Sequence, residues 1–312
     1  MARKITVSLL GPAPCRVSNG KSFNALIEQM KSHWERELSQ VLCDKPDLIV
    51  LPEVCDQYTG LEAQERIEYY QERGDNIRNF FAEVCRQNRC NLAYSAIREE
   101  DNGSWRNSTQ LLDRDGNLVG IYNKNYLLEA EIQDDKILCG RDAPVFQLDI
   151  GRTACVICFD LNFEELRRKY EDQHPELILF SSMYHGGMIQ REWAYHCRSY
   201  FAGAVAGLPC GIITPLGEIA AQSTNYHHFV TAVINLDYRL LHLDGNWEKI
   251  SAARQKYGSA ISVTDPGLLG SVMLTSESDE FSAEDVVREF GIEPLDDYFA
   301  RARQNRQQRM EP

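Results

Sequence analysis

The chain has 312 residues, a formal net charge of -13 and an apolar fraction of 43%. That is enough to bury a sizeable core in one large domain or two small ones. The acidic balance argues against a nucleic-acid partner, which wants a concentrated basic face, and no run approaches the roughly 20 apolar residues of a spanning helix, so no membrane partner is expected.

Residues 5–10 read as a first strand. Arg3 and Lys4 precede this run in the manner of a signal peptide, but it is short, ends at Gly11-Pro12 and lacks a convincing cleavage site. Phe23, Leu26, Ile27, Met30, Trp34, Leu38 and Val41 recur at helical spacing and predict one buried stripe. Residues 47–52 read as a buried strand that delivers Glu53 at its carboxyl end. A helix is expected over 63–90, carrying Ile67, Tyr70, Ile77, Phe80, Phe81 and Val84. Strand 91–98 follows, then a hairpin of 108–112 and 118–122 about the turn at Asp115-Gly116-Asn117.

The run 153–159 is continuously apolar and ends at Asp160, which predicts a central strand. Strand 177–182, a helix from about Ile189 bearing Trp193, Cys197 and Phe201, and strands at 203–207, 211–214 and 229–236 complete the alternation. Such alternation predicts a layered α/β domain, and two connections too short for a crossover helix predict mixed pairing. Composition changes after about Thr275, acidic first and then basic. The expected division is therefore a domain at 1–275 and an extension at 276–312 with short helices near 285–290 and 295–302.

Ten cysteines could form a disulfide framework, but a chain this long needs no staples, and several sit in apolar runs as small hydrophobes. A reducing, cytoplasmic setting is the simpler expectation. No metal or cofactor is expected. His227 and His228 are adjacent and would point to opposite faces of a strand, and Cys155 with Cys158 has an apolar interior and no second pair.

Three polar residues stand against apolar runs: Glu53, Lys124 and Cys158. Each alone reads as a rim residue or core filler. Their co-occurrence at strand ends, where α/β folds bind ligands, points toward a thiol hydrolase.

The ordered motifs sharpen this. Leu51-Pro52-Glu53-Val54, Tyr122-Asn123-Lys124-Asn125-Tyr126-Leu127 and Ile157-Cys158-Phe159-Asp160-Leu161-Asn162-Phe163-Glu164-Glu165-Leu166 resemble the three signature motifs of the nitrilase superfamily. Asn107-Ser108, Pro215-Leu216-Gly217-Glu218 and Val233-Ile234-Asn235-Leu236-Asp237 support the likeness, which runs from the first strand to about Asp237. The resemblance implies a four-layer αββα sandwich with a Glu–Lys–Cys triad. Cys158 would attack a carbonyl or nitrile carbon, Glu53 would act as base and then acid, and Lys124 with the Phe159 N–H would meet the oxyanion. Glu131 falls where the family often carries a second glutamate. Its acidic neighbours Glu129, Asp134 and Asp135 also allow a plain surface loop.

Departures from the family pattern bear on substrate. Asn162 replaces a common Arg that clamps carboxylates, Glu164 replaces Pro, and Tyr126 replaces His. Together they favour a small neutral or amine-bearing amide or N-carbamoyl substrate, unless Arg106, Arg191 or Arg198 supplies a clamp. Tyr58, Phe159, Asn162, Tyr184, His185 and Trp193 are the expected substrate-binding residues. Nitrile hydrolysis, acyl transfer to an amine and a non-catalytic scaffold on the same fold remain open. The resemblance further implies a homodimer or larger even-numbered oligomer, paired across helices at about 164–171 and 189–202, with Tyr170, Tyr195 and Tyr200 as aromatic contacts.

Overall fold

The computed structural model describes residues 1–17, 22–133 and 137–310. Strand β1 (Lys4–Leu10) leads to helix α1 (Phe23–Leu42), β2 (Leu48–Val50), α2 (Ala63–Arg73), α3 (Asn76–Asn88), β3 (Asn91–Glu99), β4 (Trp105–Leu112) and β5 (Leu118–Asn123). The short helix α4 (Glu129–Gln133) precedes β6 (Val145–Leu148), β7 (Gly151–Ile157), α5 (Glu164–Gln173), β8 (Leu177–Ser182), α6 (Met188–Cys197), β9 (Tyr200–Val205), β10 (Gly211–Ile213), β11 (Ile219–Gln222) and β12 (Phe229–Asn235).

Local sequence explains these elements. The Ser22 hydroxyl caps α1 by accepting from the Ala25 N–H, and the stripe read from the sequence is its buried face. The helix expected over 63–90 is two helices. Gly74 breaks it at φ 45°, ψ -125°, a conformation that suits glycine, while the apolar period continues across the break. The strand expected over 153–159 ends at Ile157, and Cys158 opens a 3-10 segment, Cys158–Asn162.

Two six-stranded mixed sheets result, in the orders β12-β1-β2-β3-β4-β5 and β11-β10-β9-β8-β7-β6. In each, three strands are parallel (β1, β2, β3; β7, β8, β9) and β4–β5, β6, β10 and β11 join antiparallel. The sheets meet face to face, where the Ser181 hydroxyl donates to the Leu51 carbonyl at 2.8 Å. Helices α1 and α3 bury Trp34 and Phe81 on the first sheet, and α5 and α6 bury Tyr170 and Trp193 on the second. The layers are αββα.

The chain divides into two compact units, residues 5–233 and residues 1–4 with 234–312. The second holds a three-stranded antiparallel sheet of β13 (Tyr238–His242), β14 (Ile261–Thr264) and β15 (Ser271–Ser276), together with α7 (Trp247–Tyr257), α8 (Ala283–Phe290) and α9 (Leu295–Gln308). Leu241, Ile250, Leu274 and Val286 form its core. The stretch after residue 275 supplies α8 and α9, and Ser282 with Asp285 forms a capping box at the start of α8. Among the described residues, no helix is long and apolar enough to cross a membrane.

Candidate active site

Strand β2 is buried throughout and runs through Leu51-Pro52 into a tight turn at Glu53 and Val54. Val54 has φ 40°, rare for a β-branched residue, and its N–H donates to the Ser95 hydroxyl. This turn presents a nearly fully buried Glu53 carboxylate. Lys124 follows β5, anchored by its N–H to the Asn107 carbonyl (2.9 Å) and by its own carbonyl to the Gly140 N–H (2.7 Å).

The Lys124 side chain is 1% exposed, and its Nζ donates to Glu53 Oε1 and to Glu131 Oε2, both at 2.8 Å. Asn107 Nδ2 bridges the same two carboxylates, donating to Glu53 Oε1 at 3.0 Å and to Glu131 Oε1 at 2.9 Å. Asn107 Oδ1 in turn accepts from Ser95 Oγ at 3.1 Å. Glu131, on α4, also accepts from the Leu128 N–H. Burial alone would lower the lysine pKa, but the two carboxylates outweigh it and hold Lys124 above its ordinary value, firmly an ammonium ion.

Cys158 lies just beyond β7 with φ 45°, a left-handed elbow that lifts its thiol out of the strand. Burial and then the Glu53 charge push the thiol up to about 12; Lys124 and a hydrogen bond from the Met183 backbone pull the other way. The resting cysteine is therefore a thiol beside a carboxylate, and attack requires the proton to leave as the sulfur moves. The N–H of Phe159 falls in the first turn of the 3-10 segment, where amides lack intrahelical acceptors.

Asp160 fixes the elbow against the lysine loop. Its Oδ1 accepts from the N–H groups of Asn125 (3.0 Å) and Tyr126 (2.7 Å), and its Oδ2 from the Tyr122 hydroxyl (2.6 Å) and the Ile157 N–H (3.3 Å). Burial nevertheless drives its carboxyl up to about 7, against the pull of those donors.

The structure brings Glu53, Lys124, Glu131 and Cys158 together; Phe159 and Asn162 lie in the 3-10 segment that Cys158 opens, and Tyr184 and His185 follow β8. The Tyr184 hydroxyl donates to Asn162 Oδ1 at 3.2 Å, and His185 Nδ1 accepts from the Gly187 N–H at 3.1 Å. Two expected substrate contacts are corrected. Tyr58 is wholly buried, its hydroxyl spent on the Leu26 carbonyl and its ring against Tyr69. Trp193 is a core residue whose indole N–H holds the Leu161 carbonyl. An aromatic residue on a loop or helix start near the expected mouth suits wall and core alike, and sequence position does not distinguish them.

Two expected interface contacts fall the same way, because Tyr170 and Tyr200 are buried and only Tyr195 is partly exposed. Asp134 and Asp135 lie outside the described residues. Sequence reasoning gave no role to Asn107, Ser95 or Asp160. The signal for Asp160 was an ionisable residue closing an apolar run. For Ser95 it was a polar side chain within the strand expected at 91–98, and for Asn107 a polar side chain just before the strand expected at 108–112.

The arginines weighed as a carboxylate clamp have other partners. Arg106 donates to Glu100 and the Cys139 carbonyl, and Arg191 to the Gly217 carbonyl and Glu218. Arg198 donates to the Tyr195 carbonyl and lies over the Tyr195 ring. Among the described residues, no group of three His, Cys, Asp or Glu side chains is placed to hold a metal ion.

The sequence model of the family described as carbon-nitrogen hydrolase matches residues 17–253. The chain is 23% identical to the omega-amidase NIT2-B of Xenopus laevis over 246 residues, which cover 70% of this chain and 86% of that one. It is 24% identical to the omega-amidase NIT2 of Homo sapiens over 213 residues, covering 61% and 76%. The carbon-nitrogen hydrolase of Helicobacter pylori G27 shares its fold at a TM-score of 0.62 and 18% identity, over 82% of this chain and 93% of that one. Saccharomyces cerevisiae Nit3, a member of branch 10 of the nitrilase superfamily, aligns at a TM-score of 0.62 and 16% identity, over 86% and 97%.

Proposed function

The chain belongs to the carbon-nitrogen hydrolase family, and from that premise we propose that it hydrolyses a small amide or N-carbamoyl compound through a thioester on Cys158. The observation that carries this reading is the buried Glu53–Lys124–Glu131 cluster, pinned by Asn107, against which the Cys158 thiol sits. Glu53 takes the thiol proton as sulfur bonds to the carbonyl carbon. Lys124 and the Phe159 N–H stabilise the oxyanion of the tetrahedral adduct. As the C–N bond breaks, Glu53 returns that proton to the departing ammonia or amine. Water then attacks the thioester, losing its proton to Glu53, and the C–S bond breaks to release the acid and restore the thiol. Glu131 and Asn107 position the lysine and the base.

The omega-amidases among its relatives support an amide as the bond cleaved in preference to a nitrile. For the substrate's far end we infer a neutral or amine-bearing group. Asn162 supplies no charge, Glu164 is paired with Arg168 on its own helix, and Arg106, Arg191 and Arg198 are engaged elsewhere, so no arginine among these is left to clamp a carboxylate. The test is kcat/KM for matched amides ending in methyl, ammonium or carboxylate. The carboxylate member is expected to be the poorest. A clear preference for it would overturn this specificity and leave the Cys158 mechanism standing. All ten cysteines are free thiols, which supports a reducing, cytoplasmic setting.

A further inference from the structure

Within the unit that holds the three-stranded sheet, α7 presents Trp247, Ile250, Ser251, Arg254 and Gln255 at alternating intervals of three residues and one, the spacing of a single helical face. Val263 and Val272 stand opposite. They share one side of the sheet, because Val263 pairs with Leu274, two residues on from Val272. Leu243 joins this wall, its N–H donating to the Gly270 carbonyl at 2.8 Å. Between helix and sheet lies a cavity of about 490 Å³, a size usual for a small-ligand site. Ser251 puts only a short side chain into it, and a Cβ added at Gly258, also on its lining, would meet nothing within 4 Å.

The lining is apolar at Leu243, Ile250, Val263 and Val272, and Trp247 adds a ring that is 65% exposed, unusual for a side chain so often buried. Arg254 and Asp265 are the charged residues of the lining, and both are exposed, so a ligand in the cavity reaches them. Among the described residues, the Arg254 guanidinium has neither an ion-pair nor a hydrogen-bond partner. Asp265 accepts only from the Gly267 N–H, at 2.7 Å. The lysines of α7 are engaged on the α8 side, Lys249 with the Gly291 carbonyl and Lys256 with Glu289, and Glu248 lies outside the lining. An anion here meets Asp265 as well as Arg254, a cation meets Arg254 as well as Asp265, and a neutral apolar molecule uses neither. A zwitterion with an apolar body uses both charges and the apolar wall.

We propose that this cavity is a ligand site for a free α-amino acid with a large apolar side chain. The carboxylate pairs with the Arg254 guanidinium, whose planar fork suits it. The ammonium group donates to Asp265, and the side chain lies against Trp247, Ile250 and Val263. Arg254 and Asp265 both fall beyond residues 17–253, the segment that the family model matches, so the site is additional to the hydrolase chemistry.

The experiment titrates the full-length protein with L-phenylalanine, 3-phenylpropionate and 2-phenylethylamine, which keep the same ring and differ in the two charged groups. Binding is read by calorimetry and by tryptophan emission, with Trp247→Phe protein as the control, and needs no turnover. Phenylalanine is expected to shift the emission of the parent to the blue and to leave that of Trp247→Phe unchanged. It is expected to bind at least about tenfold more tightly than either singly charged analogue. Arg254→Gln and Asp265→Asn, both at exposed positions, are each expected to weaken it about tenfold, and Ser251→Phe, which places a ring in the cavity, to abolish it. The proposal is overturned by the absence of heat and emission shift up to about 10 mM phenylalanine, by unchanged affinity in either charge variant, by a singly charged analogue binding as tightly, or by a crystal in which a second copy of the chain fills the cavity.

Discussion

Asn107 is the residue on which the site's charge arrangement turns, because one amide group donates to both carboxylates that flank Lys124. Hydrogen bonds to charged groups are worth about 1.5–3 kcal/mol each, so Asn107→Ala is expected to lower kcat by about 100-fold or more while circular dichroism shows the fold retained. A kcat within threefold of the parent would mean that Lys124 alone orders the cluster. The thiol carries a pH prediction. Burial and the Glu53 charge raise Cys158 to about 12, so its thiolate fraction grows with pH across the whole accessible range. Alkylation of Cys158 by iodoacetamide is expected to be slow at neutral pH and to rise about tenfold per pH unit between about 7 and 10. A rate that levels off near neutrality would show a preformed thiolate and a different mechanism.

Among the elements, those whose period and boundaries agree were legible in the sequence: the α1 stripe, the β3–β4–β5 run and the strand that delivers Glu53. Those that were missed or misplaced depend on information that periodicity does not carry. Gly74 splits one apolar pattern into α2 and α3, and β7 stops one residue short of Cys158 because the backbone there turns to positive φ. Helices α5 and α6 carry an expectation about assembly. We propose that the chain pairs two-fold across their outer faces, with Tyr195 and the Arg198 guanidinium over its ring as the aromatic contact, since Tyr170 and Tyr200 are internal. Light scattering at tens of micromolar protein is expected to give a dimer or larger even-numbered oligomer. Monomer across the concentration range would contradict it.

At the scale of the whole molecule, the sandwich collects chemistry that the sequence spreads over more than a hundred residues. Glu53 comes from the first sheet's parallel half, Lys124 from its antiparallel end, and Cys158 from the second sheet, so the site exists only when the two sheets are packed together. The triad was legible because its motifs stand in fixed order. Asn107 and Asp160, which join the three segments, were not, because a hydrogen bond between distant residues leaves no local pattern. The central claim is that this packing makes Cys158 a nucleophile toward an amide carbon. Its most direct test is intact-mass spectrometry of the protein quenched during turnover of a small amide panel, beside Cys158→Ala. The account predicts an added acyl mass on Cys158 that rises and decays with substrate and is missing from the variant; amide hydrolysis proceeding at the parent rate in Cys158→Ala would contradict it.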